Sequence, residues 1–99
     1  MVTKEEARRY LNDTDPEQSF WVNNGPILKN LEELANVLPA MGDEVFQHHV
    51  NKDKNDFSNW IKDIIGDQKF ANDLTSSKSK DSAVKKLNSR LALLKKKAA

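Results

Sequence analysis

The sequence contains no cysteine, which excludes disulfide bonds, zinc–thiolate sites and thiol nucleophiles. It has only three glycines, and neither a glycine-rich phosphate loop nor a GxSxG nucleophile motif is present. No apolar run reaches the roughly 20 residues that a membrane span needs, and the opening MVTKEEARRY lacks the apolar core of a signal peptide. We therefore expect a soluble, cytoplasmic, non-catalytic protein without a cofactor or a metal site.

The apolar residues that are present recur with helical spacing, and they make up 37% of the 99 residues. This periodicity favours a folded helical domain over a disordered chain. A chain of this length builds one domain with a modest core. We predict an all-α fold, a compact bundle of five to six short helices with a small extended or hairpin element near the N-terminus. The single domain 1–99 divides into an N-terminal helix and linker (1–15), a core (16–74) and a basic C-terminal helix (75–99).

Charge is distributed unevenly along the chain. Residues 1–50 carry 4 basic and 9 acidic side chains, whereas residues 51–99 carry 12 basic and 6 acidic side chains. Such polarity can direct self-association or binding to an anionic partner. The simpler interpretation is that two differently charged faces are both solvated.

The clearest helix lies near the middle of the chain. Its apolar residues recur at i, i+3, i+4, i+7 and i+8, which predicts one buried face made of Phe57, Trp60, Ile61, Ile64 and Ile65. Asn55 is the predicted N-cap, because its side-chain oxygen can accept from an unpaired backbone N–H. Gly66 is predicted to end the helix.

Capping signals place the other helices. The predicted N-caps are Thr3, Asn30, Asp43, Asp67 and Ser79. The last helix is predicted to bury one stripe, formed by Val84, Leu87, Leu91 and Leu94. The stretch TSSKSKDS before it is typical of a flexible connector.

The segment SFWVNNGPIL interrupts the helical pattern and predicts a small hairpin or an extended loop on the helices. A two-stranded hairpin is unstable alone, so one of its aromatic side chains must pack on the helical body. Alternation along a strand sends Phe20 and Trp21 to opposite faces. An exposed Trp21 would anchor a partner protein, although the bundle covering both aromatic residues is an equally good interpretation.

A polar cluster precedes the central helix, and with Trp21 it forms the candidate interaction or structural set: Trp21, His48, His49, Asn51, Asn55 and Asp56. Adjacent His48 and His49 point about 100° apart on a helix, and their spacing matches no zinc-binding helix motif. We interpret His49 as a semi-buried side chain bonded to a backbone carbonyl, and Asn55 and Asp56 as caps. Titration of His49 as a switch is a further interpretation, for which the sequence offers no support.

The C-terminal helix is rich in lysine and offers candidate phosphate contacts at Lys85, Lys86, Arg90, Lys95, Lys96 and Lys97. Only one of these is arginine, no aromatic residue is interleaved, and no nucleic-acid-binding motif is present. Binding of nucleic acid through this helix would be weak and sensitive to salt.

The run from Phe20 to Asp67 contains an aromatic extended segment, ILKNLEELANVL, FQHHV and NDFSNWIKDIIGD. In these elements it resembles a family of small uncharacterised domains of archaea and bacteria that share the segment HVNxxxNDFxxWI. The resemblance covers about half of the chain and implies a compact helical accessory or interaction module. We therefore expect a protein partner, with weak nucleic-acid binding as the alternative function and homo-oligomerisation as a third possibility.

Overall fold

The computed structural model describes all 99 residues, of which 66% are helical. Six α-helices and one two-stranded antiparallel hairpin follow one another along the chain. In order they are α1 (Lys4–Leu11), β1 (Phe20–Trp21), β2 (Ile27–Leu28), α2 (Leu31–Val37), α3 (Asp43–His49), α4 (Asp56–Trp60), α5 (Gln68–Thr75) and α6 (Lys80–Ala98). The predicted helical architecture and the predicted hairpin near the N-terminus are confirmed, whereas the term all-α omits the hairpin.

The central helix differs from its prediction in its second half. An α-helix extends only over α4, and a π-helical turn at Ile61–Ile65 continues it. The turn closes with a 2.7 Å hydrogen bond from the Gly66 N–H to the Ile61 carbonyl. Gly66 ends the helix as predicted, because its φ of 92° is a left-handed conformation that glycine adopts without a Cβ clash.

Side-chain caps fix most helix starts. Thr3 forms a complete capping box with Glu6 at the start of α1. Asn30 and Asn55 accept from backbone N–H groups at the starts of α2 and α4, as predicted. The prediction that Asp43 caps α3 is wrong, because Gly42 is the N-cap and Asp43 is the first helical residue. Its carboxylate still lies in the first turn of α3, where it interacts favourably with the positive end of the helix dipole.

The hairpin has one face toward the helices and one toward solvent. Phe20 pairs with Leu28 and Trp21 pairs with Ile27. Phe20 and Leu28 are buried, whereas Trp21 and Ile27 point outward. The Thr14 N–H donates to the Lys29 carbonyl at 2.7 Å, which fastens the end of β2 to the preceding loop.

The core is one cluster of 22 buried residues drawn from the hairpin and all six helices. Helix α6 packs along α1 and α2, and its buried stripe consists of Ala83, Leu87, Leu91 and Leu94. The predicted stripe began at Val84 instead, which is only half-buried.

In the predicted flexible connector, Ser77 is buried and its hydroxyl lies 3.0 Å from that of Ser82. None of the helices combines the length and the apolar character that a membrane span requires.

Candidate interaction site

His49 lies at the C-terminal end of α3, beneath the hairpin, with 4% of its surface exposed. Its Nε2 atom accepts a hydrogen bond from the Asn23 N–H at 3.0 Å. Its Nδ1 atom lies 3.0 Å from the Asp56 carboxylate. The prediction of a bond to a backbone carbonyl is therefore wrong. The helix period turns His49 toward the apolar face, and both of its partners come from other elements of the fold.

The two hydrogen bonds determine the tautomer of His49. A carboxylate only accepts hydrogen bonds, so Nδ1 carries the hydrogen and donates to Asp56. Nε2 is then the acceptor that the Asn23 N–H requires. Because the backbone occupies Nε2, the His49–Asp56 pair presents no free base to solvent.

Asp56 also binds Lys54, whose Nζ lies 2.9 Å from the same carboxylate oxygen. Partial burial acts to raise the pKa of Asp56, but hydrogen bonds from Lys54 and His49, together with their charges, outweigh burial. The pKa of Asp56 therefore lies below its ordinary value of 3.8. Asp56 was predicted to cap the helix, and its observed role is to orient His49.

An aromatic cluster supports the inner face of the hairpin. The ring centroid of Phe20 lies 5.0 Å from that of His49, 4.9 Å from that of Phe57 and 5.7 Å from that of Trp60. The Trp60 indole N–H also donates to the Gln18 carbonyl at 2.9 Å. This ties the chain before β1 to α4, and such buried aromatic pairs add stability beyond their apolar area.

The two asparagines of the cluster shape the turn between α3 and α4. The Asn55 side chain caps α4 at the Ser58 N–H and donates to the Leu74 carbonyl, which joins α4 to α5. Asn51 accepts from the Asp53 N–H and donates to the Gln47 carbonyl. Both side chains are thus engaged inside the chain, as expected of residues that stabilise a turn.

The six candidate residues therefore separate into an inner group and an outer group. His49, Asp56, Asn51 and Asn55 hold the hairpin and the turn in place. His48 is exposed, with its ring perpendicular to that of His49 at a centroid distance of 4.9 Å. Trp21 lies on the outer face of the hairpin, away from the polar cluster, with 69% of its surface exposed.

Ile27 also lies on this outer face, and it was not predicted from the sequence as part of an exposed surface. Ile27 pairs with Trp21 and is 52% exposed. The predicted hairpin segment SFWVNNGPIL includes Ile27, but the direction of its side chain depends on the register of the hairpin. The Val22 N–H donates to the Pro26 carbonyl, so alternation makes Trp21 and Ile27 the non-hydrogen-bonded pair, whose side chains lie closest. We call these two residues the hairpin face.

The candidate phosphate contacts on α6 are partly engaged within the chain. Lys86 donates to the Asp73 carbonyl and to Ser76, and Lys95 pairs with Glu32. Arg90 forms a bidentate hydrogen bond with Asp67, both contacts measuring 2.8 Å. The remaining lysines, Lys85, Lys96 and Lys97, make no hydrogen bond inside the protein. The groove between α5 and α6 has a volume of about 570 Å³, and the acidic residue Asp73 lines it together with Lys85 and Lys86.

No group of three or more histidine, aspartate or glutamate side chains is arranged to hold a metal ion. Comparisons of the chain with protein-family models, with curated proteins and with solved structures found no match. The resemblance to the family with the HVNxxxNDFxxWI segment therefore stays a prediction.

Proposed function

We propose that this chain is a small non-catalytic protein-interaction module whose contact surface is the hairpin face. One observation carries the proposal: Trp21 and Ile27 lie opposite each other and outward, 69% and 52% exposed. Single exposed apolar side chains are ordinary on protein surfaces, whereas a paired tryptophan and isoleucine form a contiguous apolar patch. Burying each against a partner would contribute about 1.5–3 kcal/mol.

The support beneath the hairpin face favours binding, because a rigid surface loses little entropy on association. Phe20, on the inner face of the same strand, packs on Trp60, and contacts at both ends hold the hairpin: the Trp60 indole N–H on the Gln18 carbonyl and His49 on the Asn23 N–H. The four-residue hairpin would not keep this shape alone. Buried side chains of α3 and α4 thus position a surface pair that itself contributes little to the core.

The shape and chemistry of the hairpin face indicate the kind of partner. The face presents two apolar side chains to solvent, so the partner must offer an apolar pocket that receives them. The Trp21 indole N–H has no acceptor within the chain, in contrast to that of Trp60, so the pocket should supply a carbonyl or carboxylate. Tryptophan in such a pocket is a frequent energetic centre of protein interfaces.

Weak nucleic-acid binding through α6 stays a prediction, and three of its six candidate contacts are engaged elsewhere. Homo-oligomerisation and the cytoplasmic location also stay predictions from the sequence.

The test is a nuclease-treated pull-down from native lysate with the full 99-residue chain. Trp21→Ser alters the hairpin face, and Leu93→Ser is a matched control, because Leu93 on α6 is also exposed (38%) but remote from the hairpin in sequence. We expect a protein that wild type and Leu93→Ser retain, and whose affinity for Trp21→Ser falls at least about 30-fold. Equal retention by all three variants would contradict the proposal.

Two further arms separate the alternatives. Without nuclease, recovery of nucleic acid that disappears when Lys85, Lys96 and Lys97 are changed to glutamine would favour α6 as the binding surface. Light scattering of the purified chain tests for a second copy on the hairpin face. If the chain is a dimer and Trp21→Ser dissociates it, the partner of the hairpin face is a second copy of the chain and not a different protein.

A further inference from the structure

His49 fastens the tip of the hairpin to α3 by a hydrogen bond that a proton would remove. Neutral imidazole has one donor and one acceptor nitrogen, whereas imidazolium has two donors. Nδ1 already donates to Asp56, so Nε2 is the atom that would gain the proton. Nε2 is also the atom that accepts from the Asn23 N–H at 3.0 Å.

We propose that protonation of His49 detaches the hairpin tip from α3 and thereby weakens the presentation of the hairpin face; this inference rests on the proposed function of that face. The imidazolium Nε2–H would point at the Asn23 N–H, and two donors cannot share one hydrogen bond. The tip must then move, or it must leave a buried donor unsatisfied. Asn23 lies only two residues from Trp21, so a displaced tip changes the strand that carries the tryptophan.

The surroundings of His49 make this change local. Asp56, from the start of α4, faces Nδ1, and Lys54 binds the same carboxylate oxygen. On α3 the neighbouring group is the exposed His48. The hairpin and α4 also contribute the uncharged rings of Phe20 and Phe57.

Asp56 keeps the helical body intact when His49 is charged. Its lowered pKa means that it remains a carboxylate throughout the range in which histidines titrate. It therefore pairs with the imidazolium, although Lys54 offsets part of that attraction. The bond from His49 to α4 survives protonation, and the bond to the hairpin does not. Phe20 packing and the contact between Trp60 and Gln18 still hold the base of the hairpin.

Amide hydrogen exchange of the free 99-residue chain tests the inference. The readout is the protection factor of the Asn23 amide, which corrects for the intrinsic effect of pH on exchange. We expect it to fall about tenfold in wild type as the pH is lowered until His49 is an imidazolium, which is the loss of one ordinary hydrogen bond. In His49→Gln the side-chain amide oxygen can accept the same N–H without titrating, so the protection factor should not change. His48→Gln, the matched control on the exposed neighbour, should behave as wild type.

An unchanged protection factor in wild type, or an equal fall in His49→Gln, overturns the inference. Loss of the pH effect in His48→Gln also overturns it, because His48 would then be the titrating group. If His49→Gln does not fold, the nitrogen chemical shift of His49 Nε2 and the protection factor of the Asn23 amide are both followed against pH in wild type. Equal midpoints support the inference, and different midpoints overturn it. These measurements use no partner, so a negative result would overturn the role of His49 without affecting the pull-down result for Trp21→Ser. Equally, a negative pull-down would overturn the proposed function without affecting the hydrogen-exchange result.

Discussion

Replacing Asp67 by alanine should destabilise the protein by about 3–5 kcal/mol, the loss expected when one partner of a buried ion pair is removed. Asp67 is 1% exposed, caps the start of α5 and binds Arg90 of α6. Its carboxylate accepts two hydrogen bonds of 2.8 Å from Arg90 and a third, of 3.2 Å, from the Phe70 N–H that it caps. The hydrogen bonds that Arg90 donates to Asp67 raise the pKa of Arg90 despite burial. Arginine is not deprotonated in proteins, so the guanidinium stays charged when its partner is removed.

The expected loss combines two overlapping contributions. Loss of the cap alone costs about 1 kcal/mol. The larger part comes from leaving a guanidinium, whose side chain is only 10% exposed, without its carboxylate. The two contributions do not simply add, since the same oxygen, Oδ1, bonds both Phe70 and Arg90. Against a total stability of about 5–15 kcal/mol for a domain, the substitution would remove a large share.

Urea denaturation at neutral pH measures the effect as a lower midpoint at an unchanged slope. Asp73→Ala is the matched control, because Asp73 lies on α5 in an exposed ion pair with Lys69; it should cost less than about 1 kcal/mol. The double variant Asp67→Asn with Arg90→Met removes both charges and retains a capping side chain. It should be more stable than Arg90→Met alone, which leaves the carboxylate buried and unpaired. A loss in Asp67→Ala no larger than that in Asp73→Ala would refute this reasoning.

Two further predictions concern α4. The lowered pKa of Asp56 stabilises the folded state fully above the ordinary value of 3.8, and this stability is lost as pH falls through the lowered pKa. Asp56→Asn should therefore reduce the difference in urea stability between about pH 5 and about pH 2; an unaltered difference would count against it. The buried Ser58 hydroxyl has no hydrogen-bond partner. Ser58→Ala should leave the free energy of unfolding unchanged or raise it by up to about 1 kcal/mol, and a clear loss by the same assay would disprove this.

Local sequence patterns were sufficient to predict features that depend on residues close together in the chain, such as helix caps and the buried face of a helix. The spacing of five apolar residues in the central helix identified a buried face. Four of them, Phe57, Trp60, Ile61 and Ile65, are buried, and Ile64 is half-buried. Thr3 and Asn55 were identified as caps from residue type and spacing alone, because capping bonds reach only three residues along the chain. Alternation also placed Phe20 and Trp21 on opposite faces, as observed, although it did not identify which of the two is buried.

The contacts that the sequence did not reveal join residues that are distant along the chain. His49 and Asn23 are 26 positions apart, and Asp67 and Arg90 are 23 apart. No local rule predicts such pairs, so Arg90 was interpreted as a phosphate contact and His49 as bonded to a carbonyl. The predicted stripe of α6 is right at Leu87, Leu91 and Leu94 and wrong only at its first residue. Ala83 and Val84 are apolar neighbours, and only packing decides which one faces the core.

The polar cluster and the hairpin face have different physical roles, which makes the proposed function separable from stability. A hairpin with two residues in each strand has too few internal bonds to persist alone. The inward groups of His49 and Trp60 supply the missing bonds, so substitutions there should alter both unfolding and partner binding. Trp21 and Ile27 contribute mainly surface, so their substitution should alter binding while the urea midpoint changes little. The polar cluster, which the sequence indicates most clearly, thus supports the hairpin face. The hairpin face itself consists of Trp21 and Ile27, whose pairing is visible only in the fold.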